Sequence, residues 1–253
     1  MNFEHILEHH LMDHRYRHLL VGGIDLGLST HLVMLWIISA LVTIVLSFAA
    51  HSQSGLGRLL RGAVEAVMIY LRDEVLHPIF HEHTETYLPY FLTLFFFILT
   101  CNLIGLVPGA HAITANITVT ASLAACTFLL IQFAGVKEQG LFSYLKHIVP
   151  GGVPLALWPV LFGIEVFGMI AKCISLSIRL FANIIAGHIV SLAFLSLIFI
   201  FAEASKVVGL AVAPAAVGLA LFVYTMDVLV AFLQAYIFTM LTALFVGGAV
   251  HPH

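Results

Sequence analysis

Long apolar stretches, separated by short polar segments, make up most of this sequence. Three of them, at 31–50, 88–107 and 117–135, have about 20 residues each. A helix of that length crosses the roughly 30 Å of hydrocarbon in a bilayer, because each residue adds about 1.5 Å. The pattern therefore predicts three membrane-spanning helices, of which the second and third form a hairpin over 88–135.

Two later apolar stretches are much longer than a bilayer requires. They cover 155–201 and 207–250, and the short polar segment AEASK separates them. As a straight helix each would be about 65–70 Å long, roughly twice the thickness of the hydrocarbon layer. We therefore expect these helices to be steeply tilted, bent or broken.

The segment 57–77 has one polar and one apolar face. Its charged residues repeat at helical spacings opposite leucine, valine and methionine side chains. A helix with two such faces is more stable in the membrane surface than across the membrane. The charged positions are Arg58, Arg61, Glu65 and Arg72.

These elements predict an all-α integral membrane protein with about five membrane helices and one interfacial amphipathic helix. The last two membrane helices are expected to be long and steeply tilted, within a single membrane domain over 1–253. Its parts are an N-terminal segment at 1–30, a first span at 31–50, the interfacial helix at 57–77, the helical hairpin at 88–135 and the long helix pair at 155–250.

The composition agrees with a chain whose main solvent is lipid. Of 253 residues, 61% are hydrophobic and 9% are charged, whereas soluble domains have about 45–50% apolar and about 25% charged residues. The net charge of −3 gives no reason to expect a nucleic-acid partner.

Ionisable residues inside the two long stretches are the main candidates for function. Glu165, Lys172 and Arg179 are spaced by seven residues, about two helical turns, and so project from roughly one helix face. His188 lies about half a turn round the same helix from Arg179, and Asp227 lies in the next stretch. An ionised group at membrane depth costs several kcal/mol, so its default interpretation is functional.

Uncharged polar residues accompany these charges. Asn183 is one turn from Arg179, which gives the first stretch a polar track beside the arginine. Residues at helical spacing give the second stretch a polar face of its own. That face consists of Tyr224, Asp227, Ala231 and Gln234. We interpret the pattern as two long helices that face each other, with an arginine between two polar tracks.

Other interpretations of the same charges stay open. Arg179 with Asp227, and Glu165 with Lys172, could form internal ion pairs that fix the register of the helices. Lys172 alone could extend to the membrane interface. A secondary transporter would use buried charges for its substrate and coupling ion, but the internal repeats expected of one are not evident. A non-transporting membrane scaffold is a further alternative.

Histidines and cysteines give weaker signals. A metal site is conceivable among the clustered histidines, but we expect interfacial side chains that titrate near the surface. These are His5, His9, His10, His14 and His18, with His81 and His83 later. The three cysteines lie in apolar runs without CxxC spacing, and we expect buried structural thiols at Cys101, Cys126 and Cys173.

Three segments resemble the subunit a family of rotary F-type ATP synthases. They are SLSIRLFANIIAGH at 175–188, LQAYIFTML at 233–241 and FFFILTCNLIGLVPG at 95–109. With Glu165 and Lys172 at the expected distances before the arginine, the resemblance covers most of 60–250. The first two segments together are highly specific to this family.

The resemblance implies a role for each matching position. Arg179 matches the stator arginine that faces the carboxylates of the rotating c-ring, and Gln234 matches the glutamine beside it. Asn183, His188 and Asp227 match polar positions of the inlet half-channel. Glu165 matches the acid of the outlet half-channel, with Ser175 as its polar neighbour, and Lys172 is a further residue of the proton pathway. This chain departs from the common pattern at Asp227, one methylene shorter than the usual glutamate, and at Cys173, where many relatives have proline.

The resemblance also implies the biological setting. The chain would translocate protons for ATP synthesis without being an enzyme on its own, and a sodium-coupled version of the same subunit is the alternative. Its partners would be the c-ring proteolipids, the peripheral-stalk subunit b, other Fo and F1 subunits and membrane lipid. We expect no cofactor, no bound metal and no nucleic acid. The expected location is the bacterial plasma (inner) membrane, with the mitochondrial inner membrane as the alternative.

Overall fold

Helices form nearly all of the regular structure. The computed structural model describes residues 15–17, 20–21, 24–25, 28–51, 54–107, 113–140, 142–144 and 157–250. The clustered histidines at positions 5, 9, 10, 14 and 18 lie outside the described residues, so the expectations for them stay predictions. Among the described residues, no group of three or more histidine, cysteine or acidic side chains is arranged to hold a metal ion.

Four short strands precede the first helix and were not predicted. They form two antiparallel pairs, β1 (Arg15–Arg17) with β4 (Leu28–Ser29), and β2 (Leu20–Val21) with β3 (Ile24–Asp25). Each strand has only two or three residues. A strand of that length is too short to show the alternation by which strands are recognised in a sequence.

The first apolar stretch forms α1 (Thr30–His51), and an irregular helical segment follows it. This segment contains α2 (Gly55–Tyr70), a π-helical turn (Leu71–Leu76), α3 (His77–Phe80) and a 3₁₀ turn (His81–His83) before α4 (Thr84–Gly105). His81, at the end of α3, has a φ of 48°, which is unusual for a residue with a side chain.

Three long helices follow among the residues that the structure describes. These are α5 (Ile117–Gln139), α6 (Trp158–Ala204) and α7 (Lys206–Val250). The last two have 47 and 45 residues. Both are continuous, so the two long apolar stretches are not broken into shorter helices. At about 1.5 Å per residue each is near 70 Å long and must tilt or bend to remain within a bilayer.

Five helical segments of the described chain are long and apolar enough to cross a membrane. The predicted helical class, the number of spans and the two long final helices are therefore confirmed. One of the five candidate spans, Gly57–Gly105, joins the segment predicted to be interfacial to the first arm of the hairpin. The position of α2 at the membrane surface stays a prediction. Its charged residues Arg58, Arg61 and Glu65 are all exposed.

The expectation for the cysteines is partly wrong. Cys101 and Cys173 are buried, but Cys126 is exposed. In a span an exposed thiol can face lipid without cost, because a thiol behaves as a small apolar group. An apolar surrounding sequence therefore did not distinguish a lipid-facing position from a core position.

The chain divides into two compact units, each assembled from pieces of several helices. The first contains 1–38, 98–117 and 179–235, and the second contains 39–97, 118–178 and 236–253. In the second unit the ring of Phe80 stacks on Tyr87 at 4.8 Å and lies 5.5 Å from Phe91. A buried hydrogen bond of 3.1 Å from the Ser177 hydroxyl to the Thr120 hydroxyl links α6 to α5 in the same unit.

In the first unit, a glycine lets the chain reverse direction between α6 and α7 within a single residue, Ser205. A Cβ atom added at Gly209 would lie 2.6 Å from Cβ and 2.7 Å from Cα of Ala202. No side chain fits at those distances, so the tight reversal depends on this glycine.

We expect Gly209→Ala to lower the free energy of unfolding by about 1–3 kcal/mol, the usual cost of overpacking. The matched control is Gly218→Ala in the same helix, where an added Cβ has no atom within 4 Å. Because alanine has the higher helix propensity, this control should be neutral or slightly stabilising. Unfolding of the purified chain in detergent micelles measures both, and equal stability of the two variants would contradict the packing argument.

Candidate functional site

Arg179 lies on a stripe of α6 that is not covered by the described chain. The stripe continues at helical spacing through Ala182, Ala186 and Ile189, all of which are exposed. The opposite side of the helix packs into the first unit through Leu180 and Ile184, which are 0% and 4% exposed. Small residues beside the arginine leave room for another helix to approach.

No carboxylate of the described residues forms an ion pair with Arg179. The guanidinium cannot lose its proton in a protein. A permanent charge at membrane depth is costly unless a counter-charge is near. The internal pairing of Arg179 with Asp227, which the sequence left open, is therefore not formed here, and the arrangement suits a counter-charge from another molecule.

Asp227 of α7 lies directly against α6 at Gly187. A Cβ atom added to Gly187 would be 2.7 Å from Oδ2 and 2.9 Å from both Oδ1 and Cγ of Asp227. The carboxylate therefore occupies the volume that any side chain at position 187 would take. The sequence analysis did not assign Gly187 to the site, although its place directly before His188 is the signal that marks it.

The same carboxylate interacts electrostatically with His188 of α6 and with Tyr224, one turn earlier on α7. His188 is half-buried, and its Nε2 is shielded from solvent. The predicted proximity of His188 and Asp227 is thus present within the first unit. An imidazole and a carboxylate in such a position can pass a proton between them near neutral pH.

Two amide side chains of the predicted set also belong to this unit. Asn183 is half-buried one turn after Arg179. Gln234 is 6% exposed and lies between the fully buried Ala231 and Ala235.

The second unit contains a cleft of about 250 Å³ next to Glu165 and Lys172. Glu165 is half-buried, and the Lys172 ammonium lies 5.3 Å from the centroid of the Phe245 ring. No ion pair joins Glu165 to Lys172, and both are described residues. Ser175 is exposed on the same helix and does not line this cleft.

The sequence analysis missed three uncharged polar residues at the cleft: Gln139 and Tyr144 line it, and Gln132 is the hydrogen-bond partner of Tyr144. The Tyr144 hydroxyl donates a 3.0 Å hydrogen bond to Gln132 Oε1, and Gln132 Nε2 lies 3.7 Å from the Met169 sulfur. Gln139 Nε2 donates a 2.6 Å hydrogen bond to the Ala249 carbonyl. Burial raises the pKa of Tyr144, and its hydrogen bond with Gln132 opposes that effect. Tyr144 therefore lines the cleft as an uncharged phenol.

A signal for these residues was present in the sequence. Gln132 and Gln139 are seven residues apart on α5, the same spacing as Glu165 and Lys172 on α6. Two amides on one face of an apolar helix predict a polar neighbour. The identity of that neighbour required the fold, because sequence spacing does not say which helices are adjacent.

Comparisons with known proteins show the family of the chain. A family described as ATP synthase A chain matches residues 32–247. The chain is 40% identical to ATP synthase subunit a of Chloroherpeton thalassium over 235 residues, which cover 91% of this chain and 68% of that relative. It is 44% identical to ATP synthase subunit a of Chlorobium phaeobacteroides, with 91% and 67% covered.

A third relative gives the same result. ATP synthase subunit a of Myxococcus xanthus is 40% identical over 243 residues, which cover 93% of this chain and 78% of the relative. The family match covers the five candidate membrane helices as far as residue 247, including the stripe around Arg179 and the region of Asp227. The chain therefore belongs to the ATP synthase A chain family.

Proposed function

We propose that this chain is the stator subunit a of an ATP synthase and that it provides two separate half-channels for protons. Ring-borne carboxylates of the c subunits are loaded from one half-channel and unloaded into the other. The observation that carries the proposal is the exposed Arg179 stripe, which has no counter-charge in the described chain. A passing carboxylate on a neighbouring helix would supply that charge.

An arginine suits the position between the half-channels. Its guanidinium stays protonated at any physiological pH, whereas a buried lysine can lose its proton. Facing a ring carboxylate, it favours the ionised form and so promotes release of the proton. The fixed positive charge also repels a proton that would cross directly from one half-channel to the other.

The inlet half-channel is assigned to His188 and Asp227, with Asn183 and Gln234 as polar neighbours. An imidazole is the side chain best suited to exchange protons near neutral pH. Aspartate is shorter than the glutamate usual at position 227, and the absence of a side chain at Gly187 compensates by letting the carboxylate approach α6. An imidazole in the path favours protons over sodium as the transported ion, because Na⁺ prefers oxygen ligands.

The outlet half-channel is assigned to the cleft at Glu165. A volume of about 250 Å³ has room for about eight water molecules at roughly 30 Å³ each. A carboxylate in contact with such a cluster can exchange protons with it. Each elementary charge that crosses the membrane field gains about 2.3 kcal/mol per 100 mV, which is the energy available for rotation.

The proposed role as subunit a also implies the partners of the chain and its membrane. ATP chemistry would take place on other subunits, since this chain contributes membrane helices and an ion path. The partners would be the ring of c subunits along the Arg179 stripe and the peripheral-stalk subunit b elsewhere. Relatives from Chloroherpeton, Chlorobium and Myxococcus favour a bacterial plasma membrane.

We expect Arg179→Ala to reduce ATP-driven proton pumping to background, because the ring carboxylates then lose the charge that releases their protons. Quenching of a pH-sensitive dye in inverted membrane vesicles measures pumping, and copurification with the c-ring checks assembly. The control is Arg61→Ala, an exposed arginine of α2, which should retain pumping. An assembled Arg179→Ala complex that still pumps would refute the assignment.

Gly187→Ala should slow proton pumping by about ten- to a hundredfold, the penalty of displacing a reacting group by about 1 Å. The added methyl group competes with the Asp227 carboxylate for the same volume. Gly168→Ala on the same helix is the control, because an added Cβ there meets no atom within 4 Å. Equal pumping rates in the two variants, measured in the same vesicles, would remove Asp227 from the inlet path.

A further inference from the structure

The Lys172 ammonium is held on an aromatic ring although a carboxylate lines the same cleft. Its Nζ lies 5.3 Å from the centroid of Phe245 on α7, within the range of about 6 Å in which a cation is attracted by a ring face. Glu165 and Lys172 both line the cleft, and no ion pair joins them. The partner of the Lys172 ammonium in the structure is therefore the Phe245 ring and not the Glu165 carboxylate.

Helix geometry makes this choice of partner informative. Glu165 precedes Lys172 by about two turns on the same face of α6. Side chains of an α-helix lean toward its N-terminus, so an unrestrained lysine at 172 extends in the direction of Glu165. Seven residues correspond to about 10.5 Å along the axis, so the lysine has to be extended to form such an ion pair, which would keep the carboxylate ionised.

We propose that Phe245 is a positioning residue for proton release: its ring holds the Lys172 ammonium away from Glu165 and so leaves that carboxylate available to take up a proton. This inference rests on the proposed function, because it requires that Glu165 passes protons to the outlet.

The surroundings of the ring support a fixed position for it. Phe245 lies about one turn before Ala249, whose carbonyl accepts the 2.6 Å hydrogen bond from Gln139 of α5. That bond fixes the end of α7 against α5 within the second unit. The ionisable side chains that line the cleft are Glu165, Lys172 and Tyr144, so Lys172 is the cation among the described lining residues that can pair with the carboxylate.

The test begins with the ring itself, in the assembled ATP synthase. Phe245→Leu and Phe245→Met remove the ring and keep an apolar side chain, and each should lower proton pumping about two- to fivefold, the factor expected for one exposed cation–π contact. Phe245→Tyr keeps the ring face and should retain pumping. The amount of assembled complex is measured for each, so that the methionine variant serves if the leucine variant does not assemble. Equal losses in all three variants would mean that Phe245 only packs, and would overturn the proposal.

A second step separates the cation from the ring. In Lys172→Gln no ammonium is present, so Phe245→Met added to it should cause no further loss of pumping. A further loss of the same size as in Phe245→Met alone would overturn the proposal, because the ring would then act independently of the lysine.

A third variant distinguishes this inference from the proposed function. Glu165→Gln should lower pumping by itself, since the outlet carboxylate is gone. If Glu165→Gln pumps at the full rate, the outlet role of Glu165 fails and the inference fails with it. If Glu165→Gln is impaired while Phe245→Met is not, the inference alone is wrong.

Discussion

The free-energy cost of a permanent charge at membrane depth governs the arrangement of this chain. A spanning segment must satisfy its own backbone hydrogen bonds, so the lipid environment allows only helices here. On one of these helices the chain carries Arg179, which cannot be neutralised by losing its proton. The described residues supply no carboxylate for it, and the stripe on which it lies is bordered by alanines. A charge that costs several kcal/mol and has no counter-charge in the described chain calls for one from another molecule.

Small residues determine where the polar groups of the site can be. The Asp227 carboxylate occupies the space that a side chain at Gly187 would fill. Gly209 allows α7 to turn back against α6 after a single residue. Gln234 is buried on a part of α7 where Ala231 and Ala235 are buried as well. In lipid the hydrophobic effect does not drive helices together, so close contact between backbones has to supply the attraction. The glycines and alanines therefore serve both the packing of the helices and the placement of the ionisable groups.

Much of this could be predicted from the sequence, for identifiable reasons. Runs of about 20 or more apolar residues have few alternatives to membrane helices, and charges within them attract attention because they are costly. Irregular local structure was not predictable: the π-helical turn at Leu71–Leu76 and the positive φ of His81 interrupt the α-helical pattern. The contacts of Tyr144, Gln139 and Phe245 were also out of reach, because they depend on which helices become neighbours. The prediction that Cys126 is buried was wrong for a related reason, since lipid and protein core are both apolar.

The two proposed half-channels solve one problem in different ways. A carboxylate that carries protons must not remain in a permanent ion pair, because such a pair favours its ionised form. At the inlet the neighbour of Asp227 is an imidazole, which itself gains and loses a proton near neutral pH and so cannot hold the carboxylate permanently. At the outlet the neighbour of Glu165 is a lysine, which loses its proton far less readily. There a third group has to bind the Lys172 ammonium. The Phe245 ring is suitable because it attracts the positive charge without taking or giving a proton.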